Sequence, residues 1–178
     1  MNDRGIWTTK EELATHLFDE SLCDAIITIC NSKNLRSIVD IGCGNGSYVK
    51  YFKNKGFNCW GYDGSPLTPG FCKIKDFSER INIGKYGLVL SLEVGEHIPV
   101  DYEQIFIDNL VDASIGLIIL SWAVEGQGGD GHVNCRNNNY VINELTNRGY
   151  CYDEATTEFL RDKSTLSWFK DTILTFER

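Results

Sequence analysis

The residues whose types and spacing could do chemistry gather first in Val39-Asp40-Ile41-Gly42-Cys43-Gly44-Asn45-Gly46 and then in Asp63, which closes a strand-like run from Phe57 to Tyr62. Glycines two apart let a backbone turn sharply and approach a ligand closely, because no Cβ intervenes and positive φ is open to them. A carboxylate ending the next strand can accept both hydroxyls of a ribose. The dinucleotide fingerprint G-x-G-x-x-G needs its third glycine at position 47, where this chain has Ser47, so the spacing is G-x-G-x-G and disfavours NAD. No G-K-[ST] follows the glycines, which disfavours a phosphate-binding P-loop. Further on, Glu93, Glu96 and His97 form E-x-x-E-H, a set that could hold a divalent ion, supply a general base, or simply cap a helix start. His132 stands in the run Gly128-Gly129-Asp130-Gly131-His132-Val133-Asn134, where Asp130 could orient its ring.

Positioning these groups requires a sheet edge. Helix-period and strand-period stretches alternate through the chain, which predicts an α/β layer fold around a mainly parallel sheet. Thr8 or Thr9 with Glu11 or Glu12 makes a capping box, and Leu13, Leu17, Leu22, Ile26 and Ile29 then recur at helical spacing, predicting one leading helix. Strands are expected at Ser37–Ile41, Phe57–Asp63, Cys72–Ile74, Tyr86–Val94, Ile115–Trp122, Tyr150–Tyr152 and Thr172–Glu177. Helices are expected at 47–55, 100–113, 140–148 and 157–169, with Gly56 and Gly149 as stops. Residues 124 to 139, rich in glycine and asparagine, are expected as a loop at the carboxyl end of a central strand, where open α/β sheets bind ligands, and as a lid over substrate.

The 178 residues, 42% hydrophobic and 24% charged, suit one domain with a single sizeable core. With a net charge of −8 and no basic stripe, a nucleic-acid partner is disfavoured. No apolar run reaches the ~20 residues needed to span a bilayer and no signal-peptide pattern opens the chain, so a soluble cytoplasmic protein without a membrane partner is expected. The seven cysteines are odd in number and lack a C-x-x-C pair, as suits small buried hydrophobes in a reducing compartment.

Asp40, the glycine loop and Asp63 together resemble the cofactor site of class I S-adenosylmethionine-dependent methyltransferases, and the resemblance extends over nearly the whole chain. It implies a doubly wound, mostly parallel seven-stranded sheet with an antiparallel last strand and helices on both faces, one domain over 1–178 with a leading helix region at 1–33 and a Rossmann-like core at 34–178. It implies S-adenosyl-L-methionine as cofactor, with Asp40 at its amino group, Gly42, Cys43, Gly44 and Gly46 against the methionyl and ribose parts, Asp63 on the ribose, Asp76 and Phe77 at the adenine, and Leu92 beside the cofactor. Ser91 to Pro99 looks like the E-x-L-E-H-x-P stretch of small-molecule methyltransferases, with Gly95 in place of leucine, a change expected to loosen the turn and open space for substrate. Related methyltransferases use such a cluster for magnesium, which makes Glu93, Glu96 and His97 candidate ligands of Mg²⁺ or another divalent ion.

Trp122 to Arg136 bears a weaker resemblance to methyltransferase domains of large DNA viruses and phages, where a sugar hydroxyl of a glycan is the acceptor and the host cytoplasm the setting. No Asn-Pro-Pro-Tyr or Asp-Pro-Pro-Tyr follows strand four, which disfavours amino methylation of nucleobases and favours oxygen methylation of a small molecule or glycan. For that reaction His97 is the leading base, His132 the second, and Glu93 a third catalytic candidate. His16 reads as a half-buried helix residue, and Trp7, Trp122, Trp168 and Tyr140 as core aromatics, with Trp122 the one best placed to meet substrate. Other nucleotide-binding enzymes, a non-sugar acceptor, and a catalytically inactive module of the same fold are the competing readings.

Overall fold

A computed structural model describes all residues from Met1 to Arg178. Seven strands form one sheet in the order β3-β2-β1-β4-β5-β7-β6. They are β1 Ser37–Ile41, β2 Asn58–Asp63, β3 Lys73–Ile74, β4 Tyr86–Ser91, β5 Ser114–Ser121, β6 Cys151–Tyr152 and β7 Ile173–Glu177. The first five pair in parallel and β7 runs antiparallel to both β5 and β6, as the sequence predicts. Side chains alternate across the sheet. Ile38, Leu88 and Leu90 face a core shared with α2 (Glu20–Ser32), α3 (Ser47–Asn54) and α6 (Glu154–Lys163), whereas Val39, Ile41 and Val89 face the one shared with α4 (Glu103–Ala113) and α5 (Asn138–Thr146). The β1–β4 pairing is the point where strand order reverses, and it opens the ligand crevice of a doubly wound sheet. No helix is long and apolar enough to cross a membrane.

Four local expectations are corrected. The leading helix is two: α1 covers Lys10–Ala14, starting from the predicted capping box of Thr9 and Glu12, and α2 restarts after a break. Asp19 causes the restart, because its buried carboxylate caps Leu22 N at 3.0 Å and also accepts from Ser164 Oγ and the amides of Thr165 and Leu166. Leu17, counted on the helical stripe, is left exposed. Strand four stops at Ser91 instead of Val94, since Glu93 takes φ +55°, which no strand accommodates. The predicted helix at 100–113 begins with a 3₁₀ turn over Val100–Tyr102, and that at 157–169 splits into α6 and a short α7, Phe169–Thr172.

Gly95 does not open space for substrate. A Cβ on it would stand 2.3 Å from the indole of Trp122, which fills the volume a leucine would take. Trp122 is itself 1% exposed, packs edge-on against Phe106, and donates Nε1–H to Asn134 O at 2.7 Å, so it is a core residue and not a substrate platform. Gly95→Ala is therefore expected to destabilise by the ~1–3 kcal/mol typical of an overpacked core. At about 2–4 °C per kcal/mol for a chain of this size, a melting curve should show the loss clearly, and an unchanged melting temperature would contradict the packing.

Candidate active site

The glycine loop is built by what β2 offers it. Gly42 N and Cys43 N both donate to Tyr62 O, at 2.8 and 3.1 Å, and Gly44 N donates to Asp63 Oδ2 at 2.8 Å. Gly42, Gly44 and Gly46 take φ of +80°, +48° and +72°, which glycine adopts freely. Close approach matters as much: a Cβ would strike Val94 at Gly42 (2.3 Å) and the His16 ring at Gly44 (2.2 Å). Asp63 accepts from Ser65 N through its other oxygen, at 2.7 Å, so each oxygen spends one lone pair on the backbone and keeps another for a ligand.

Asp40 lies on the Ile38 side of β1, is 3% exposed, and has Oδ2 without a partner. Burial, with the neighbouring Asp63 charge, pushes its carboxyl well above the usual range. Asp76 is instead engaged: Arg4 reaches it at 2.7 Å, and Ser78 gives it both N–H and O–H. Burial would raise its carboxyl, but the bonds from Ser78 and Arg4 outweigh that and hold it low.

Two connected cavities open above the β1–β4 edge. The smaller is lined by Asp63, Asp76 and Phe77, with Arg4 and Ile6 of the N-terminal segment across it. The larger is lined by Asp40, Cys43 and Leu92 at one end and by Gln127, His132 and Trp168 at the other. Trp7, His16, Gly42, Glu93 and His97 border both. Trp7 is wedged edge-on against His16 (ring centroids 4.8 Å) and His97 (5.3 Å), and His97 meets His132 at 5.2 Å.

His97 Nδ1 pairs with Gly131 O at 3.0 Å, which leaves Nε2 as the acceptor nitrogen of a neutral ring. Burial lowers its pKa to about 4, and lowers that of His16 also. Glu96 is fully buried with neither carboxylate oxygen partnered, and burial beside the charge of Glu93 raises it well above the usual range. The ligand atoms of Glu96, His97 and His132 lie within 4.8 Å of one another. That set differs from the one expected from the sequence: Glu93 accepts from Ser121 Oγ at 2.8 Å and is not a member of the group.

The 124–139 segment is irregular as expected up to residue 137, whereas Asn138 and Asn139 already belong to α5, and only part of the loop has open space around it. A Cβ at Gly126 or Gly128 would meet nothing within 4 Å, whereas the stretch after His132 is clamped. Buried Glu103 accepts from Asn134 Nδ2 at 2.8 Å, Arg136 Nε at 2.7 Å and the Tyr140 hydroxyl, while Glu96 O receives Val133 N and Asn134 N at 2.9 Å each. His132 is held through Nδ1 by Gln127 O at 3.3 Å, and Asp130 is not its partner.

The structure thus gathers Asp40, Gly42, Cys43, Gly44, Asp63, Asp76, Phe77, Leu92, Glu93, His97 and His132 along the two cavities, with Gly46 in the turn beneath them and Glu96 just behind. Sequence reasoning missed Arg4, Ile6 and His16, and took Trp7 and Trp168 for core. The capping box at Thr9 marked a helix start but gave no sign that the preceding segment crosses the cleft.

The profile of a methyltransferase domain matches residues 13–110. The chain is 30% identical over 125 residues to a probable chloroplastic tocopherol O-methyltransferase of Oryza sativa subsp. japonica, a match covering 60% of this chain and 34% of that protein, so it spans about a third of that relative's length. A sugar N-methyltransferase of Streptoalloteichus superposes with a TM-score of 0.69 at 11% identity, covering 89% of this chain and 87% of the other. A magnesium protoporphyrin IX methyltransferase of Synechocystis with bound SAH superposes with a TM-score of 0.63 at 19% identity, covering 88% and 81%. These likenesses establish the class I methyltransferase fold.

The raised carboxyl of Asp40 has a definite consequence for the unliganded protein. A carboxyl whose folded pKa exceeds its unfolded value of about 3.9 stabilises fully below that value, and the contribution is lost as pH rises through the folded pKa. Asp40→Asn should gain stability relative to wild type as pH is raised above about 4. Melting curves from pH 4 to 9 check this, and a difference independent of pH would contradict it.

Proposed function

Because the chain belongs to the methyltransferase domain family, we propose that it binds S-adenosyl-L-methionine and transfers the methyl group to a hydroxyl oxygen of a small molecule, a sugar or glycan hydroxyl in first place. The observation that carries this is Asp40, a buried carboxyl with Oδ2 unpartnered that lines the larger chamber beside glycines too close-packed for a side chain. A buried carboxylate is stabilised by a cationic partner, and the cofactor's ammonium would be one. The free lone pairs of Asp63 suit the ribose hydroxyls, and Phe77 offers an apolar wall to the adenine.

The cofactor supplies an electrophilic methyl on a good leaving group, so the protein's part is alignment, exclusion of water, and removal of the acceptor's proton. Trp7 and Trp168 would sit against the C–H faces of a sugar while Gln127 and Asp130 take its hydroxyls. His97 is kept neutral by burial, with Nε2 free to accept the hydroxyl proton, and Gly131 O fixes its ring. His132 and Glu93 stand next to it.

Glu96, His97 and His132 also fit a divalent ion, since both Glu96 oxygens are without a partner and the donor set of carboxylate and imidazole suits such a cation. That ion would lower the pKa of a bound hydroxyl in place of the imidazole. The protein would work in a reducing cytoplasm, where its seven free thiols persist.

S-adenosylhomocysteine at ~100 times its dissociation constant should raise stability by about 2.7 kcal/mol, with a smaller rise for Asp63→Ala and Asp40→Asn and none with NAD. A larger shift with NAD would refute the reading. With labelled cofactor and a panel of sugars, glycosides and phenols, His97→Ala should lower turnover by roughly 10²–10⁴. Turnover unchanged by exhaustive chelation would rule out the ion, and cofactor binding without turnover of any acceptor would leave a binding module.

A further inference from the structure

The charge on the chamber wall goes further than the choice of cofactor. Resting on the proposed methyl transfer, we infer that the acceptor end of the larger chamber selects by charge: it admits uncharged or basic acceptors and turns away those bearing phosphate or carboxylate.

Two acids, Glu93 and Asp130, line this chamber beyond Asp40, which sits at its cofactor end, and neither a lysine nor an arginine does. Phosphate and carboxylate are recognised by arginine forks, lysine ammonium groups or free amides at a helix N-terminus. None is on offer. The one cation of the adjoining cleft, Arg4, is spent on Asp76 and Glu79, each at 2.7 Å. Arg136, at the base of the neighbouring loop, is bound to Glu103 at 2.7 Å and lies over the Tyr140 ring at 4.6 Å. The helix that starts under the chamber, α3, begins in the glycine loop, and its first amide donates to Asn45 Oδ1 at 3.0 Å.

An anion entering the chamber would therefore give up water and gain no counter-charge from an arginine or lysine, only the cofactor's sulfonium when that is bound, while Trp7, Trp168 and Phe169 form low-dielectric walls that focus the field of the acids. A neutral polyol loses little there, because carboxylates accept its hydroxyls and aromatic faces cover its C–H surface. A basic acceptor is drawn in by the same field. The chain's net charge of −8 adds a weaker bias of the same sign everywhere on the surface, so a test has to separate the chamber from the whole.

Gly128 provides the reporter, since it lines the chamber and a Cβ there meets nothing within 4 Å. Cys151, exposed on the edge strand β6 and outside both cavities, provides the reference. The full chain carrying Gly128→Cys is treated, in chelator, with two methanethiosulfonates of similar size, one bearing a trimethylammonium group and one a sulfonate, and modification is followed site by site by mass spectrometry. The ratio of cationic to anionic rate at the introduced thiol should exceed that at Cys151 by about tenfold, and adding Asp130→Asn should reduce the excess. Equal ratios, or a higher anionic rate in the chamber, overturn the inference.

This readout needs neither cofactor nor turnover, so a failure of the proposed function, visible in the S-adenosylhomocysteine shift or in the labelled-cofactor assay, is told apart from a failure of charge selection. Where an acceptor is methylated, its phosphorylated counterpart should show a kcat/KM at least about tenfold lower, and an equal or higher value also overturns the inference.

Discussion

The whole ligand edge depends on how the chain leaves β1. At the β1–β4 boundary the strand order reverses, so the connections on either side part and a crevice remains between them. The chain must turn at once, before it collides with Val94, and the turn is fixed from outside, by Tyr62 O and the Asp63 carboxylate of β2. Asp63 is thus both a strut and a candidate ligand group. Its hydrogen bond to Gly44 N sets the loop at a distance from β2 that lets the His16 ring pack directly on glycine backbone.

Around that turn the molecule leaves buried carboxyl oxygens without partners, whereas elsewhere it pairs its buried carboxylates. Asp19, fully buried, receives four donors to its carboxylate, and Glu103 receives bonds from Asn134, Arg136 and Tyr140. Asp40 Oδ2 and both oxygens of Glu96 have none. The contrast is informative because a buried carboxyl without a partner costs free energy that a fold under selection for stability alone would not keep. Glu93 adds backbone strain at the same place, with φ +55° between two of these groups. Unpaired acids and a strained residue on one edge of the sheet mark where stability yields to ligand binding.

What the sequence reveals follows the range of the forces involved. The central strand was legible because burial on both faces writes a continuous apolar run, here Leu117 to Leu120, and the loop signature was legible because glycine spacing is a local requirement. The break between α1 and α2 was only half legible: Leu17 and Leu22 stand five apart, off the helical period, but only the distant partners Ser164, Thr165 and Leu166 reveal why Asp19 is a cap. For the same reason the path of Arg4 to Trp7 across the cleft was hidden: Arg4 is ordered by Asp76 and Glu79, more than seventy residues away. The space vacated at Gly95 was read as substrate room because a sequence shows a missing side chain but not the Trp122 ring that fills it.

The segment after β5 shows how one loop can be both mobile and exact in placing a side chain. In its glycine half Gly126 and Gly128 have open space around them, whereas Gly129 lies against the His132 ring and Gly131 against Met1 and His97, and its second half is tied to the buried Glu103 and to the backbone of Glu96 and Ala123. His132 stands at the junction, its neighbour Val133 already bonded to Glu96 O and its ring reaching back to Gln127 O in the free half. Opening the glycine half therefore costs His132 two hydrogen bonds, from its ring to Gln127 O and from its amide to Gly129 O, but leaves Val133 N on Glu96 O. His97 is linked to the same half through Gly131 O. Movement of residues 126–131 would then free the rings of both histidines together while their Cα atoms stay fixed by β4, Glu96 and the Glu103 clamp, which couples access to the chamber to the set of the rings that face it.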